Sequence, residues 1–165
     1  EGKFLACLDI KSGKIVWKRD PTEDFAKGRY SRGHEIRFDG GITVPASSSK
    51  HVVPLPYSRE DAVDPEDLLV AALSNCHMLT FIDLARRAGF VVDSYEDEAL
   101  GIMERIAPQR MAITKVTLRP KVVFVGEQRP TADEIAAMHH EAHDECFIAS
   151  SVTTDVRCEP IGAGG

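Results

Sequence analysis

Residues 64–78, Asp64-Pro65-Glu66-Asp67-Leu68-Leu69-Val70-Ala71-Ala72-Leu73-Ser74-Asn75-Cys76-His77-Met78, decide how the rest of the chain is read. Asp64 suits a helix N-cap and Pro65 the first helical position, where its missing N–H is not needed. Glu66 and Asp67 complement the positive end of the helix dipole. The apolar pattern continues through Leu79, Phe81, Ile82, Leu84 and Ala85, and Gly89 supplies a stop after the basic pair Arg86-Arg87. Apolar residues fall on nearly every side, which predicts a helix at the centre of a domain or an interface. The segment reads as too short, and too interrupted by Asn75, His77 and Asp83, to span a membrane. Cys76 then lies mid-helix in a mostly buried setting.

A chain of 165 residues is expected to form one domain with a real core. Its formal net charge of −6 argues against non-specific nucleic-acid binding and against an anionic membrane surface. The opening Glu1-Gly2-Lys3 leads only into the brief apolar run 4–8, which does not read as a secretory leader. Four cysteines, Cys7, Cys76, Cys146 and Cys158, are too few and scattered for a disulfide scaffold, and none forms a C-x-x-C pair. A cytoplasmic protein with one or two special thiols is the expectation.

Outward from the central helix, residues 3–10 and 15–17 read as short strands around a turn at 11–14. Residues 28–38 alternate like a strand, and Asp39-Gly40-Gly41 turns the chain into a partner strand at 42–44. Residues 45–64 carry Pro45, Pro54, Pro56 and a serine run, which makes a long loop. After Gly89 a strand is expected from Phe90 through Tyr95 and on towards Met103-Glu104. Val116, Leu118, Val122 and Phe124 share one face of another strand, with Pro120 as an edge or bulge. Thr131 to Glu134 is a capping box opening a second helix through Ile135, Met138, Ala142 and Cys146. A last strand is expected near 152–156, followed by a fraying tail from Ile161. Strands and helices are segregated rather than alternating, an α+β arrangement.

Cys76 and Cys146 are seventy residues apart, each on an expected helix. Three readings stand side by side. Both can be small core hydrophobes. They can be a redox pair in which one thiolate attacks a peroxide and the other resolves the sulfenic acid as a disulfide. Or the crowding of His139, His140, His143 and Cys146 can hold a metal, since His139 and His143 are spaced i, i+4. Against the metal, no further ligand completes an obvious four-ligand set, and solvated helix histidines account for the same residues.

Asp64-Pro65-Glu66-Asp67-Leu68-Leu69-Val70-Ala71-Ala72 ending in Cys76 resembles the Asp-Pro-Glu…Ala-Ala…Cys helix of the OsmC/Ohr family, the osmotically inducible and organic hydroperoxide resistance proteins. Ala142-His143-Asp144-Glu145-Cys146 is similar to that family's second signature, Ala-His-x-x-Cys. The resemblance covers roughly 28–159. It divides the chain into N-terminal strands or an extension at 1–27 and a single OsmC-like domain at 28–165. It implies antiparallel sheets wrapped around two central helices in an intertwined homodimer. The implied activity is a thiol-dependent peroxidase that reduces organic hydroperoxides to alcohols. The alternative is a metal-binding or non-catalytic stress protein whose cysteines and histidines are structural. By resemblance, Cys76 is the peroxidatic cysteine and Cys146 the resolving one. Glu66 matches the family's glutamate, and Arg32, with Arg29 in reserve, matches the arginine that holds the thiolate. Phe147 stands where many members have proline, and Cys7 and Cys158 match nothing catalytic. No bound cofactor or metal is expected, only an external dithiol reductant.

A thiol attacks a peroxide as thiolate, and burial in apolar surroundings opposes ionisation. A guanidinium supplies a permanent positive charge, and a carboxylate can fix its fork. Glu66 and Cys76, however, are ten residues apart, so on one straight helix they stand about 15 Å and about 80° from each other. Either Glu66 lies on a bent-back segment before the regular helix, or it serves a site with a second subunit. Leu73, Met78, Leu79 and Phe81, together with the proline-rich loop, are expected to make the setting of Cys76 apolar, which favours a bulky organic substrate.

Overall fold

A computed structural model of the chain describes residues 13–162. The expected strand at 3–10 and Cys7 lie outside the described residues. The chain divides into two compact units that meet in sequence at Pro65 and Glu66.

The first unit is a three-stranded antiparallel meander, β1 (Lys14–Val16), β2 (His34–Arg37) and β3 (Thr43–Ala46). The Asp-Gly-Gly turn does join two strands, with Arg37 opposite Thr43 and His34 opposite Ala46. The long strand expected over 28–38 is shorter. Gly28 takes a left-handed conformation that ends a 3₁₀ turn at Phe25–Lys27, so the alternation before His34 belongs to loop. In that loop Trp17, Phe25 and Tyr30 pack ring on ring, with centroids 4.5–6.2 Å apart.

The second unit holds α1 (Pro65–Arg87), whose 23 residues form one unbroken helix. It ends as the sequence suggests. The Phe90 N–H donates to the Ala85 carbonyl while Gly89 sits at φ +84°, a glycine C-cap of the Schellman type. By length and composition alone α1 could cross a membrane, so the expectation that it is too short does not hold. Its buried residues nonetheless include His77 beside Leu73, Phe81, Leu84 and Ala85, as in a helix laid against protein.

The segment after Gly89 is two strands rather than one: β4 (Val91–Asp97) and β5 (Leu100–Ala107). So is the segment around Pro120: β6 (Arg110–Leu118) and β7 (Pro120–Val125). β4 pairs with β7, and β5 with β6, so each long segment changes sheet midway. The Asp97 carboxylate marks the crossover by accepting from the Arg119 N–H at 2.6 Å and from the Ser74 hydroxyl at 2.5 Å. Pro120, which has no N–H, then opens β7 opposite Asp97.

Thr131 and Glu134 form the capping box of α2 (Ala132–Asp144). β8 (Asp155–Cys158) starts about three residues later than expected and runs parallel to β6. The tail does not fray at Ile161, whose N–H donates to the Pro120 carbonyl. Phe81, Leu84 and Ala85 of α1 pack with Phe90, Phe124, Met138 and Ala142 beneath the β4–β7 sheet. Leu73 packs with Val116 and Leu118 of β6. The turns of α1 thus serve two cores in succession.

Candidate active site

Cys76 lies at the middle of α1 and is half-buried. α2 ends at Asp144, short of the expected Cys146, which instead starts the exit turn with its N–H on the His143 carbonyl. That turn leads to a 3₁₀ turn at Ala149–Ser151. Cys146 is 1 % exposed, and its Sγ accepts from the Ala149 N–H at 3.4 Å. Cys76 is close enough to Cys146 to act on its thiol. Burial, chiefly, and then the neighbouring Cys76 push the Cys146 thiol up, while the N–H groups of Ala149 and Ile148 pull it partly back. Of these two residues Cys76 is half-buried and Cys146 buried.

Glu66 is the second residue of α1, and the helix runs without a break from it to Cys76. The bent-back alternative is therefore removed, and within one chain the two cannot meet. Oε2 of Glu66 is buried with no hydrogen-bond partner among the described residues. Glu66 lines a 670 Å³ groove with Val70, Ser74 and Met78 of α1, Asp97 of β4 and Met103 of β5. Of the four residues expected around Cys76, Leu73 and Phe81 are fully buried core, Met78 lines this groove and Leu79 is exposed.

The arginines belong to the first unit. The Arg32 guanidinium donates to the carbonyls of Gly28 and Tyr30 and lies 3.7 Å above the Tyr30 ring centroid. It borders a 460 Å³ cavity walled by Ile15, Trp17, Phe25, Tyr30 and His34. Arg29 is exposed.

A second cluster in the larger unit has no counterpart in the sequence reading. Nε2 of His77 lies 3.0 Å from Nδ1 of His139 and 3.6 Å from Sγ of Cys158. His139 is therefore not a solvated helix histidine; it is 3 % exposed, and His77 is 1 % exposed. Burial holds both imidazoles neutral, with pKa values of about 4, and pushes the Cys158 thiol up to about 12. Of His139, His140, His143 and Cys146, which crowd the second helix in sequence, His139 enters this cluster. His77 and Cys158 are 81 residues apart, and only the parallel β6–β8 register brings the latter inward.

The family model described as OsmC-like protein matches residues 58–160. The chain belongs to the OsmC-like protein family. A solved relative, the OsmC-like protein of unknown function VCA0330 from Vibrio cholerae O1 biovar eltor, is 47 % identical over 93 % of this chain and all of that one, with a TM-score of 0.90. The organic hydroperoxide resistance protein OhrB of Bacillus subtilis shares the fold at 15 % identity, covering 92 % and 98 % of the two chains with a TM-score of 0.62. An organic hydroperoxide resistance protein from Elizabethkingia anophelis does so at 16 % identity over 78 % and 86 %, with a TM-score of 0.61. No curated protein matches the chain. Among these OsmC-like folds the α+β arrangement of two helices and antiparallel sheets is shared. The parallel β6–β8 pair is the departure from strict antiparallel order.

Proposed function

We propose that this OsmC-like protein reduces organic hydroperoxides to alcohols with its own thiols and is regenerated by an external dithiol. The observation that carries this reading is that two thiols seventy residues apart come close enough to act on each other, Cys76 half-buried and Cys146 buried. The Cys76 thiolate attacks the outer oxygen of the hydroperoxide, the O–O bond breaks, and the alkoxide takes a proton to leave as alcohol. Cys76 is now a sulfenic acid. The Cys146 sulfur attacks the Cys76 sulfur, the S–O bond breaks, and hydroxide departs with the Cys146 proton as water. The N–H groups of Ala149 and Ile148 already face the Cys146 sulfur and would stabilise its developing negative charge. The external dithiol then reduces the Cys76–Cys146 disulfide and becomes a disulfide itself.

Arg32 suits the thiolate-holding role better than Arg29, because its guanidinium is fixed by two carbonyls and a ring and retains free donors. Glu66 on an unbroken helix is the argument for a homodimer, with each Glu66 serving a site shared between subunits. Leu79 at 59 % exposure on α1, and Leu100, Ile102 and Ile106 on β5, supply apolar surface for such an interface.

Cumene hydroperoxide should be consumed beyond one equivalent only with a dithiol present, and non-reducing mass spectrometry after one equivalent without dithiol should find Cys76 linked to Cys146. Consumption without any such linkage, or linkage without consumption, would overturn the mechanism. Sedimentation across a dilution series tests the dimer, and a folded, fully active monomer would refute it.

A further inference from the structure

We propose that His77, His139 and Cys158 form a binding site for one Zn(II) ion that ties α1, α2 and β8 together. Their three ligand atoms all lie within 4.8 Å of one another, with His77 Nε2 3.0 Å from His139 Nδ1 and 3.6 Å from Cys158 Sγ. A tetrahedral zinc ion with Zn–N of about 2.0–2.1 Å and Zn–S of about 2.3 Å sets its nitrogens about 3.3 Å apart and nitrogen about 3.5 Å from sulfur. The donors already stand near those separations. Binding turns the two imidazoles, now stacked with planes 7° from parallel, toward one point and replaces the hydrogen bond between them.

The second observation is independent of spacing. Nδ1 of His77 and Nε2 of His139 are buried without a hydrogen-bond partner among the described residues. Two neutral imidazoles joined by one hydrogen bond leave one N–H and one bare nitrogen unmatched, whichever ring donates. Histidines kept for packing alone are ordinarily matched, and this pair is not. An ion on the inner nitrogens replaces the hydrogen bond between the rings and puts a hydrogen on each outer nitrogen, where a water has to accept it. His139 lines a 380 Å³ cavity with Arg129, Ile135 and the Pro160–Gly162 segment. His139 is the ligand that borders this cavity, which would be the way in for the ion and for a water in the fourth position.

Charge and chemistry agree with the assignment. Two imidazoles and a thiolate form a set that zinc accepts. Asp97 lies close enough to act electrostatically on both His77 and Cys158, yet both its oxygens are hydrogen-bonded, so it balances charge without ligating. The thiol proton is released on binding. The ligands are distinct from Cys76 and Cys146, so this site stands or falls separately from the peroxidase reading.

The test is titration of the metal-free full chain with Co(II), whose bond to thiolate gives a charge-transfer absorption, followed by competition with Zn(II). One equivalent should saturate the band, and zinc should abolish it. Cys158→Ser should remove the band, and His139→Gln should weaken cobalt binding at least tenfold. Both should leave Cys76-dependent peroxide consumption in place, which reports that they fold. The Cys7→Ser/Cys76→Ser/Cys146→Ser protein should keep the band, and zinc should raise its urea midpoint only while Cys158 is present. The proposal is overturned by the absence of saturable binding. It is equally overturned by a band that survives Cys158→Ser but is lost with Cys76 and Cys146, which would put the ion on the thiol pair.

Discussion

Cys76 and His77 are neighbours on one helix, about 100° apart around its axis, yet they open onto two thiol environments of opposite character. Cys76 meets another thiol, and that thiol sits in an exit turn whose N–H groups face the sulfur. His77 meets an imidazole and a thiol deep among Phe81, Tyr95 and the sheet, where burial holds the two imidazoles and the thiol neutral. In the proposed function the first environment changes covalent state, with Cys76 half-buried, Cys146 buried and the Ala149 N–H on its sulfur. The second is built to stay as it is unless an ion enters. The difference lies in the element that carries the second sulfur. Cys146 hangs on a turn after α2, whereas Cys158 is locked into β8 by pairing with Leu118. Thiols are not functionally ranked by burial alone, and what surrounds the sulfur decides its chemistry.

Exchange of single sulfurs gives the largest contrast. Cys76→Ser should reduce dithiol-dependent hydroperoxide consumption to the uncatalysed background, while Cys158→Ser leaves it unchanged. Cys146→Ser should allow one equivalent of peroxide to react and then leave Cys76 as sulfenic or over-oxidised acid, read by intact mass. Equal loss of activity in the Cys76 and Cys158 variants would erase the distinction between the two environments.

The next effect falls on the wall of the second environment. The Phe81 ring lies 4.1 Å from the His139 ring, centroid to centroid, and is fully buried. Phe81→Ala should cost about 3–5 kcal/mol in urea unfolding, as for other core aromatics. Water admitted to the cavity should also raise the His139 pKa from about 4 towards the ordinary 6.5, followed by NMR titration of the ring.

Acid should act on the same environment in the metal-free protein. Both histidines have folded pKa values of about 4 against 6.5 in the open chain, so between those values the unfolded state binds more protons. Stability should therefore fall as pH drops from about 6.5 towards 4, by on the order of 3 kcal/mol for each histidine that stays neutral. The groups that set this window are known: burial dominates, His143 and His77–His139 repulsion add to it, and Asp97 opposes it at His77. Urea midpoints across this range should show the fall, and His139→Gln should flatten it. No flattening would mean that surface carboxylates carry the slope.

The first environment was partly legible in the sequence, and the second was not. Caps and turns are local, so the span of α1, the Gly89 stop, the capping box at Thr131 and the Asp39-Gly40-Gly41 hairpin could all be read directly. The two cysteines could be singled out because each sits inside a compact signature. Strand partnership is not local. Nothing in residues 90–104 or 116–124 announces that Asp97 binds the Arg119 N–H and diverts both segments into different sheets. The His77–His139–Cys158 cluster depends on that diversion and on the parallel entry of β8, so no spacing rule along one helix could find it.

The smallest effect separates stability from either environment. The capping box at Thr131 closes the far end of α2 from Cys146, with the Glu134 N–H on the Thr131 hydroxyl at 3.3 Å and the Thr131 N–H on the Glu134 carboxylate at 2.7 Å. Thr131→Ala removes a side-chain acceptor from an exposed helix start and should cost about 1 kcal/mol. Its consequence should be a lower urea midpoint alone, with peroxide consumption and the His139 titration both unmoved. Were the His139 titration to shift as well, α2 would transmit changes at its first turn to its buried face. The contrast between a reactive turn and a fixed core would then have to be redrawn as a property of the whole helix.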